Sequence, residues 1–225
     1  MMCLIDGDPL AYIAGWGNTE EEAKVKIDAL VEEIVNSAFT DDFKIAVKGK
    51  DNFRDKVISD YKGHRKSSSE QAKMVKVLRE HMVEAHNAVE AHGQEADDLL
   101  AQWAEECREE GEDFVIASID KDLLTIPGNH YNIRKGTIVY VDEDHADYLL
   151  NQQLLMGDRA DGIPGLPGIG AKKSENILAD VKFGKRRAAV IAAYKEQYGG
   201  TWQKELQITG DLIYIRKYKD ERFKI

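Results

Sequence analysis

The sequence predicts an α/β protein: a three-layer domain on a largely parallel sheet, followed by a helical C-terminal region. Three observations predict it. Apolar residues occupy consecutive positions in MCLID (Met2 to Asp6), FKIAV (Phe43 to Val47) and FVIASI (Phe114 to Ile119), the pattern of strands covered on both faces. Segments with helical spacing separate these runs, and the order βαβαβ calls for helices on both sides of a sheet. From about Asp142 the chain reads as helices, with a glycine-proline hairpin inserted and a short apolar run, Leu212 to Ile215, near the end.

The elements follow in order. After the first strand, Thr19 and Glu22 form a capping-box pattern, and Val25, Leu30, Ile34 and Phe39 carry helical spacing. The second strand precedes a basic cluster, Lys62, His64, Arg65 and Lys66, in YKGHRKSSSEQAKMVKVLREHMVEAH. The rest of that segment is helical but poor in large apolar groups, so it is expected to project rather than pack. EADDLLAQWAEECREEG, Glu95 to Gly111, is a helix with Gly111 as its C-terminal cap, and it leads into the third strand.

Composition sets limits. With 225 residues, 43% of them hydrophobic, the chain can bury a large core, as one domain or one domain with a small appendage. Its two cysteines, Cys3 and Cys107, lack metal-ligand spacing, which argues against a disulfide framework or a zinc site and suits a reducing cytoplasm. No secretory signal pattern opens the chain, and no apolar run is long enough to span a membrane. A net charge of -10 opposes binding to nucleic acid, so the distribution of charge decides the matter.

The acids fall at element ends. Asp6 ends the first strand; Glu95, Asp97 and Asp98 open a helix; Asp120 and Asp122 follow the third strand; Asp158 and Asp161 precede the hairpin. Ligands of an open parallel sheet bind beyond the carboxyl ends of its strands, so these groups are expected to converge there. Such convergence demands cations, and Mg²⁺ takes oxygen ligands while keeping several waters. Singly, each acid also suits a helix dipole, a cap or a solvated face; together, beside a phosphate-type hairpin, they point to a metal site.

That hairpin is GLPGIGAKK. Gly165, Gly168 and Gly170 permit tight turns and close backbone approach, the following helix offers its first N–H groups, and Lys172 and Lys173 add charge for a nucleic-acid backbone. The cationic segment after the second strand could hold the phosphates of a single strand, with Tyr61 stacking on a base. His81, His86 and His92 are read as solvent-facing rather than as ligands.

The motifs LIDGD, YKGHRK, EADDLLA, IASIDKDLLTI and GDRADGIPGLPGIGAKK, in this order from Met2 to about Leu178, resemble the flap endonuclease or 5′-nuclease family, phage 5′-3′ exonucleases and the nuclease domain of bacterial DNA polymerase included. The resemblance implies a PIN-like domain over 1–141 with a helical arch at about 61–90. It implies a helix-three-turn-helix that binds duplex DNA, often with a K⁺ ion, within a helical region over 142–225. It also implies two Mg²⁺ or Mn²⁺ ions held by Asp6, Glu95, Asp97, Asp98, Asp120, Asp122, Asp158 and Asp161, with Lys62 and Arg65 at the scissile phosphate; Lys66, in the same cationic segment, is expected on DNA from its charge. The family's pattern departs at one place: Lys48, Gly49 and Lys50 stand where an aspartate is expected before Phe53 and Arg54, and Asp51 lies closer to Arg54 than that pattern.

The activity so implied is structure-specific, metal-dependent 5′-3′ exonuclease or flap endonuclease action on DNA during replication or repair, by a monomer in the cytoplasm of a bacterial or phage-infected cell. A DNA-binding module with a decayed site and a PIN-type RNase are the other readings of the same residues.

Overall fold

A computed structural model describes residues 1–58, 61–62 and 69–225. Its main sheet is formed by β1 (Met2–Asp6), β2 (Phe43–Lys48), β3 (Val89–Ala91), β4 (Phe114–Ser118), β5 (Gly128–Asn132) and β6 (Thr137–Val141), in the order β3-β2-β1-β4-β5-β6. All neighbours are parallel except β5 and β6. β1 therefore lies centrally, with Ile5 paired to Ile45 on one side and Ala117 on the other.

Side chains alternate across the sheet and divide its core in two. Cys3, Ile5, Ile45, Val47, Val115 and Ala117 face α1 (Gly7–Gly15), α2 (Glu20–Ser37) and α3 (Ser69–His86). Leu4, Ala46, Phe114 and Ile116 face α4 (Ala96–Glu110). Thr19 caps α2 through the expected capping box, and Gly111 ends α4 in the left-handed conformation (φ 71°). Both cysteines are buried and free.

α1 begins the moment β1 ends. A Cβ on Gly7 would lie 2.7 Å from Val47 Cγ1, so a glycine lets this helix turn directly off the strand and leaves Asp6 at the sheet edge.

The expectation that the segment after Lys66 projects is corrected. Val75, Leu78 and Met82 of α3 are buried in the core beside α1 and α2. Three apolar residues at spacings of three and four suffice to pack a helix whose other face is charged.

Beyond β6 come α5 (Glu143–Met156), the ribbon β7 (Gly157–Asp158) and β8 (Ile163–Pro164), α6 (Ala171–Leu178), α7 (Arg186–Tyr198) and α8 (Trp202–Ile213). These helices bury a core of their own, including Leu154, Leu155, Leu178, Val190, Tyr194, Leu206 and Phe223. Ile215, past α8, joins instead the core under α4.

Candidate active site

The carboxyl ends of β1 and β4 lie side by side, and each contributes a polar group. Ser118 Oγ donates to Asp6 Oδ2 at 2.7 Å and accepts from the Asp120 backbone N–H at 2.9 Å. Asp120 Oδ1 accepts from the Asp122 N–H at 2.9 Å, and Gln153 Nε2 of α5 donates to Asp122 Oδ1 at 2.6 Å. The turn after β4 is thus pinned from both sides.

The start of α4 brings in Glu95 and Asp97. Tyr61 Oη donates to Glu95 Oε2 at 3.0 Å and Lys62 Nζ to Glu95 Oε1 at 2.5 Å. Lys62 also lies 3.5 Å from Asp161 Oδ2, while its backbone, in the left-handed region (φ 55°), donates to Asp161 O at 3.0 Å. Asp158 accepts from the Ala160 N–H at 2.7 Å.

These side chains surround one cleft of about 1210 Å³, lined among others by Asp6, Asp8, Lys62, Glu95, Asp97, Asp120, Asp122 and Asp158. Asp161 lines a small annexe of about 40 Å³ that shares several of the same acids.

The electrostatics are strained in a consistent direction. Burial, with Asp8 and Asp120 nearby, pushes the Asp6 carboxyl up to about 7 against the pull of the Ser118 hydrogen bond. Burial and the charges of Asp6, Asp120 and Glu95 raise Asp97 well above its ordinary range. Asp122 rises to about 6 through burial and then Asp120, Asp158 and Asp161. Burial works against the charge on Lys62, but Glu95, Asp161 and Asp97 outweigh it and raise its pKa. These are hard oxygen donors that repel one another across a shared space, the donor chemistry suited to Mg²⁺ or Mn²⁺.

Several expected site residues stand elsewhere. Asp98 is fully buried outside the cleft, and its oxygens accept from Arg54 Nη1 (2.5 Å) and Nη2 (2.9 Å) and from the backbone of Glu95 and Arg216 (2.9 Å each). With both oxygens engaged within the protein, Asp98 stands apart from the acids that line the cleft. Tyr61 is 9% exposed, with its hydroxyl on Glu95. Arg65 and Lys66 lie outside the described residues. Asp51 is exposed and does not line the cleft, whereas Lys48 and Gly49 do.

The hairpin also separates into parts. A Cβ on Gly165 would lie 2.1 Å from the Met156 carbonyl carbon, so a glycine there permits close packing inside the protein. Gly168 (φ 74°), Gly170, Lys172 and Lys173 are exposed at the start of α6. Nearby Arg186 pairs with Asp144 and Asp147 at 2.7 and 3.0 Å, and Arg187 donates to Asn151, so these two cations serve packing.

Sequence reasoning missed Asp8, whose Oδ1 accepts from Arg79 Nε (2.8 Å) and the Lys48 N–H (3.1 Å) at the cleft wall. It stands in the quoted LIDGD motif, and its place two residues beyond Asp6, in the first turn of α1, was the available signal. His81 and His86, expected to face solvent, instead both meet Asp28.

The fold and cleft together define a class: an α/β domain with a carboxylate-lined site at the C-terminal edge of a parallel sheet. The chain belongs to the family of 5′-3′ exonuclease N-terminal resolvase-like domains, whose model matches residues 1–152. It is 29% identical over 164 residues to the 5′-3′ exonuclease of Buchnera aphidicola subsp. Schizaphis graminum, covering 66% of this chain and 56% of that protein. It is 30% identical over 149 residues to DNA polymerase I of Streptococcus pneumoniae R6, covering 59% of this chain but only 17% of the polymerase. The T5 D15 protein co-crystallised with metal ions shares the fold, with a TM-score of 0.70 and 17% identity over 94% of this chain and 85% of that one.

Proposed function

We propose that this chain is a metal-dependent 5′ nuclease that hydrolyses phosphodiester bonds in DNA bearing 5′ ends or flaps, in replication or repair. The observation that carries the reading is the cleft in which Asp6, Glu95, Asp97, Asp120, Asp122 and Asp158 face Lys62. The family membership and the likeness to the Buchnera 5′-3′ exonuclease support it.

Asp6, Glu95, Asp97, Asp120, Asp122 and Asp158, with Asp161 behind them, would hold two Mg²⁺ or Mn²⁺ ions. Bound there, such ions supply a water of lowered pKa and positive charge near the leaving oxygen. Without cations, burial and the neighbouring acids hold the Asp6 and Asp97 carboxyls above their ordinary range, and Lys62 is neutralised by Glu95. Lys62 must exchange that partner to reach a phosphate, where it would stabilise charge in the transition state alongside Arg65. Gln153 and Ser118 act indirectly, by fixing Asp122 and Asp6.

The DNA-holding surface would be Gly168, Gly170, Lys172 and Lys173, with Lys66 as a further DNA contact and a K⁺ ion at the hairpin. It would position duplex by its backbone without reading sequence. The acting form would be a monomer.

The test is digestion of a labelled 5′-flap DNA with and without Mg²⁺. Release of short 5′ products only with Mg²⁺ is expected. Intact DNA in both Mg²⁺ and Mn²⁺ would identify a DNA-binding module without activity, and preferential cutting of single-stranded RNA would identify an RNase.

A further inference from the structure

Away from the cleft, α2 and α3 carry a second group of side chains with metal-ligand chemistry. Asp28 projects from α2, and His81 and His86 from the last turns of α3. The Nε2 atoms of both histidines lie on the same oxygen, Asp28 Oδ1, at 2.8 and 2.7 Å. One ligand atom from each residue lies within 4.8 Å of the other two. The rings stand nearly perpendicular, at 84° with centroids 6.0 Å apart, so their nitrogens approach one point from different directions. None of the three lines the nuclease cleft.

A surface hydrogen bond between helices needs one imidazole. Here two converge on one carboxylate oxygen, and the histidine side chains are only 17% and 16% exposed while Asp28 is 48% exposed. The open side leaves room for water. Burial opposes the charge on Asp28, but the hydrogen bonds and charges of His86 and His81 outweigh it and hold the carboxyl below its ordinary range.

We propose that Asp28, His81 and His86 form a zinc-class metal site that staples α3 to α2. Two imidazoles and one carboxylate, with a remaining position for water, are a recurrent tetrahedral Zn²⁺ set with bonds of about 2.0–2.2 Å. In such a site neighbouring ligand atoms stand roughly 3.3 Å apart, so each nitrogen–oxygen pair needs to open by only about half an ångström. Imidazole favours Zn²⁺ and other borderline transition metals over Mg²⁺, whereas the all-oxygen cleft suits Mg²⁺, so one chain can sort two metals between two places. The staple would act on a functional element, because Gln71, Ala72, Val75 and Arg79 of the same α3 line the cleft.

Zinc chloride is titrated into the full chain in saturating Mg²⁺, followed by calorimetry and thermal denaturation. The expected result is uptake of one zinc ion per chain with a rise in Tm, retained in Asp120→Ala and lost in His81→Gln/His86→Gln. Asp28→Asn should weaken zinc by an order of magnitude or more, as loss of a charged ligand does, and circular dichroism checks that each variant folds. Mg²⁺-dependent cleavage without zinc should be unchanged in the double variant. Equal zinc uptake by the wild type and the folded histidine and Asp28→Asn variants, or loss of the zinc response in Asp120→Ala, would overturn the assignment.

Discussion

Arg54 and Asp98 form a bidentate ion pair, 2.5 and 2.9 Å, with both side chains buried. Around it Arg54 also donates to the carbonyls of Leu212 and Tyr214, while Asp98 accepts from the Glu95 and Arg216 backbones. One pair thereby ties the start of α4 to the end of α8 and the chain beyond it. Asp98→Ala leaves the guanidinium buried and unpaired and is expected to cost about 3–5 kcal/mol of stability. Replacing both residues by apolar ones of similar size should recover part of that loss, as buried pairs often permit. Denaturant titration decides: near-wild-type stability in Asp98→Ala, with loss of metal binding alone, would return this residue to the metal shell.

Asp97, one residue earlier, should behave in the opposite way. It faces the cleft and is repelled by Asp6, Asp120 and Glu95. Asp97→Asn is expected to abolish cleavage while leaving the metal-free protein as stable as the wild type or more so. Comparing the melting temperatures of the two variants separates the roles of these adjacent aspartates.

The raised Asp6 carboxyl sets a pH dependence. Between its ordinary value of 3.8 and about 7, the folded chain keeps a proton that the unfolded chain has released. This group's contribution therefore makes the metal-free protein less stable as pH rises through that window, levelling off above it. Asp122 adds the same sign between 3.8 and about 6. Mg²⁺ affinity should move the other way, rising with pH until those protons are gone. Thermal denaturation in chelator from acid to neutral pH should show the decline in the wild type and a shallower one in Asp6→Asn. Parallel curves would mean that Asp6 is not protonated in the folded state.

Lys62 neutralises Glu95 and lies against Asp161 in the same structure. Lys62→Ala is expected to lower kcat by about 10² with little change in duplex affinity, because a group acting on the transition state affects turnover rather than binding. Removing the cation should also tighten Mg²⁺ binding by leaving Glu95 uncompensated. A fall in affinity with kcat unchanged would make Lys62 a docking residue.

The sheet was legible because β1, β2 and β4 are central strands, buried on both faces and written as unbroken apolar runs. β5 and β6 were not: GNHYN mixes polar and aromatic residues, and β6 is an edge strand with Ile138, Val139 and Tyr140 half-exposed or more. Most of the acids could be placed by their positions at strand ends. Sequence alone could not separate Asp97 from Asp98, because adjacent helix residues point about 100° apart and only the location of Arg54, 44 positions away in the chain, says which one is buried. The histidine cluster was missed for a related reason. His81 and His86 are five apart, off the usual spacing of three or four, and their partner lies on another helix.

The hairpin can be tested apart from the chemistry. Gly165 is committed to packing against Met156, so only the exposed turn with Gly168 and Gly170, and Lys172 and Lys173 on the first turn of α6, remain to meet a phosphate backbone. Contacts of this kind displace counterions from DNA, and their loss is read in the salt dependence of binding. Lys172→Ala/Lys173→Ala should weaken binding to duplex-containing substrates and reduce the slope of log affinity against log salt by about 0.9 for each lost contact. Cleavage at saturating substrate should change little, since neither lysine lines the cleft. A short single strand should bind nearly as before, because it would be held beside Lys62 rather than at α6. If affinity for both substrates falls equally, or the salt slope is unchanged, the turn does not hold the duplex and its glycines serve only the packing of α6 on α5.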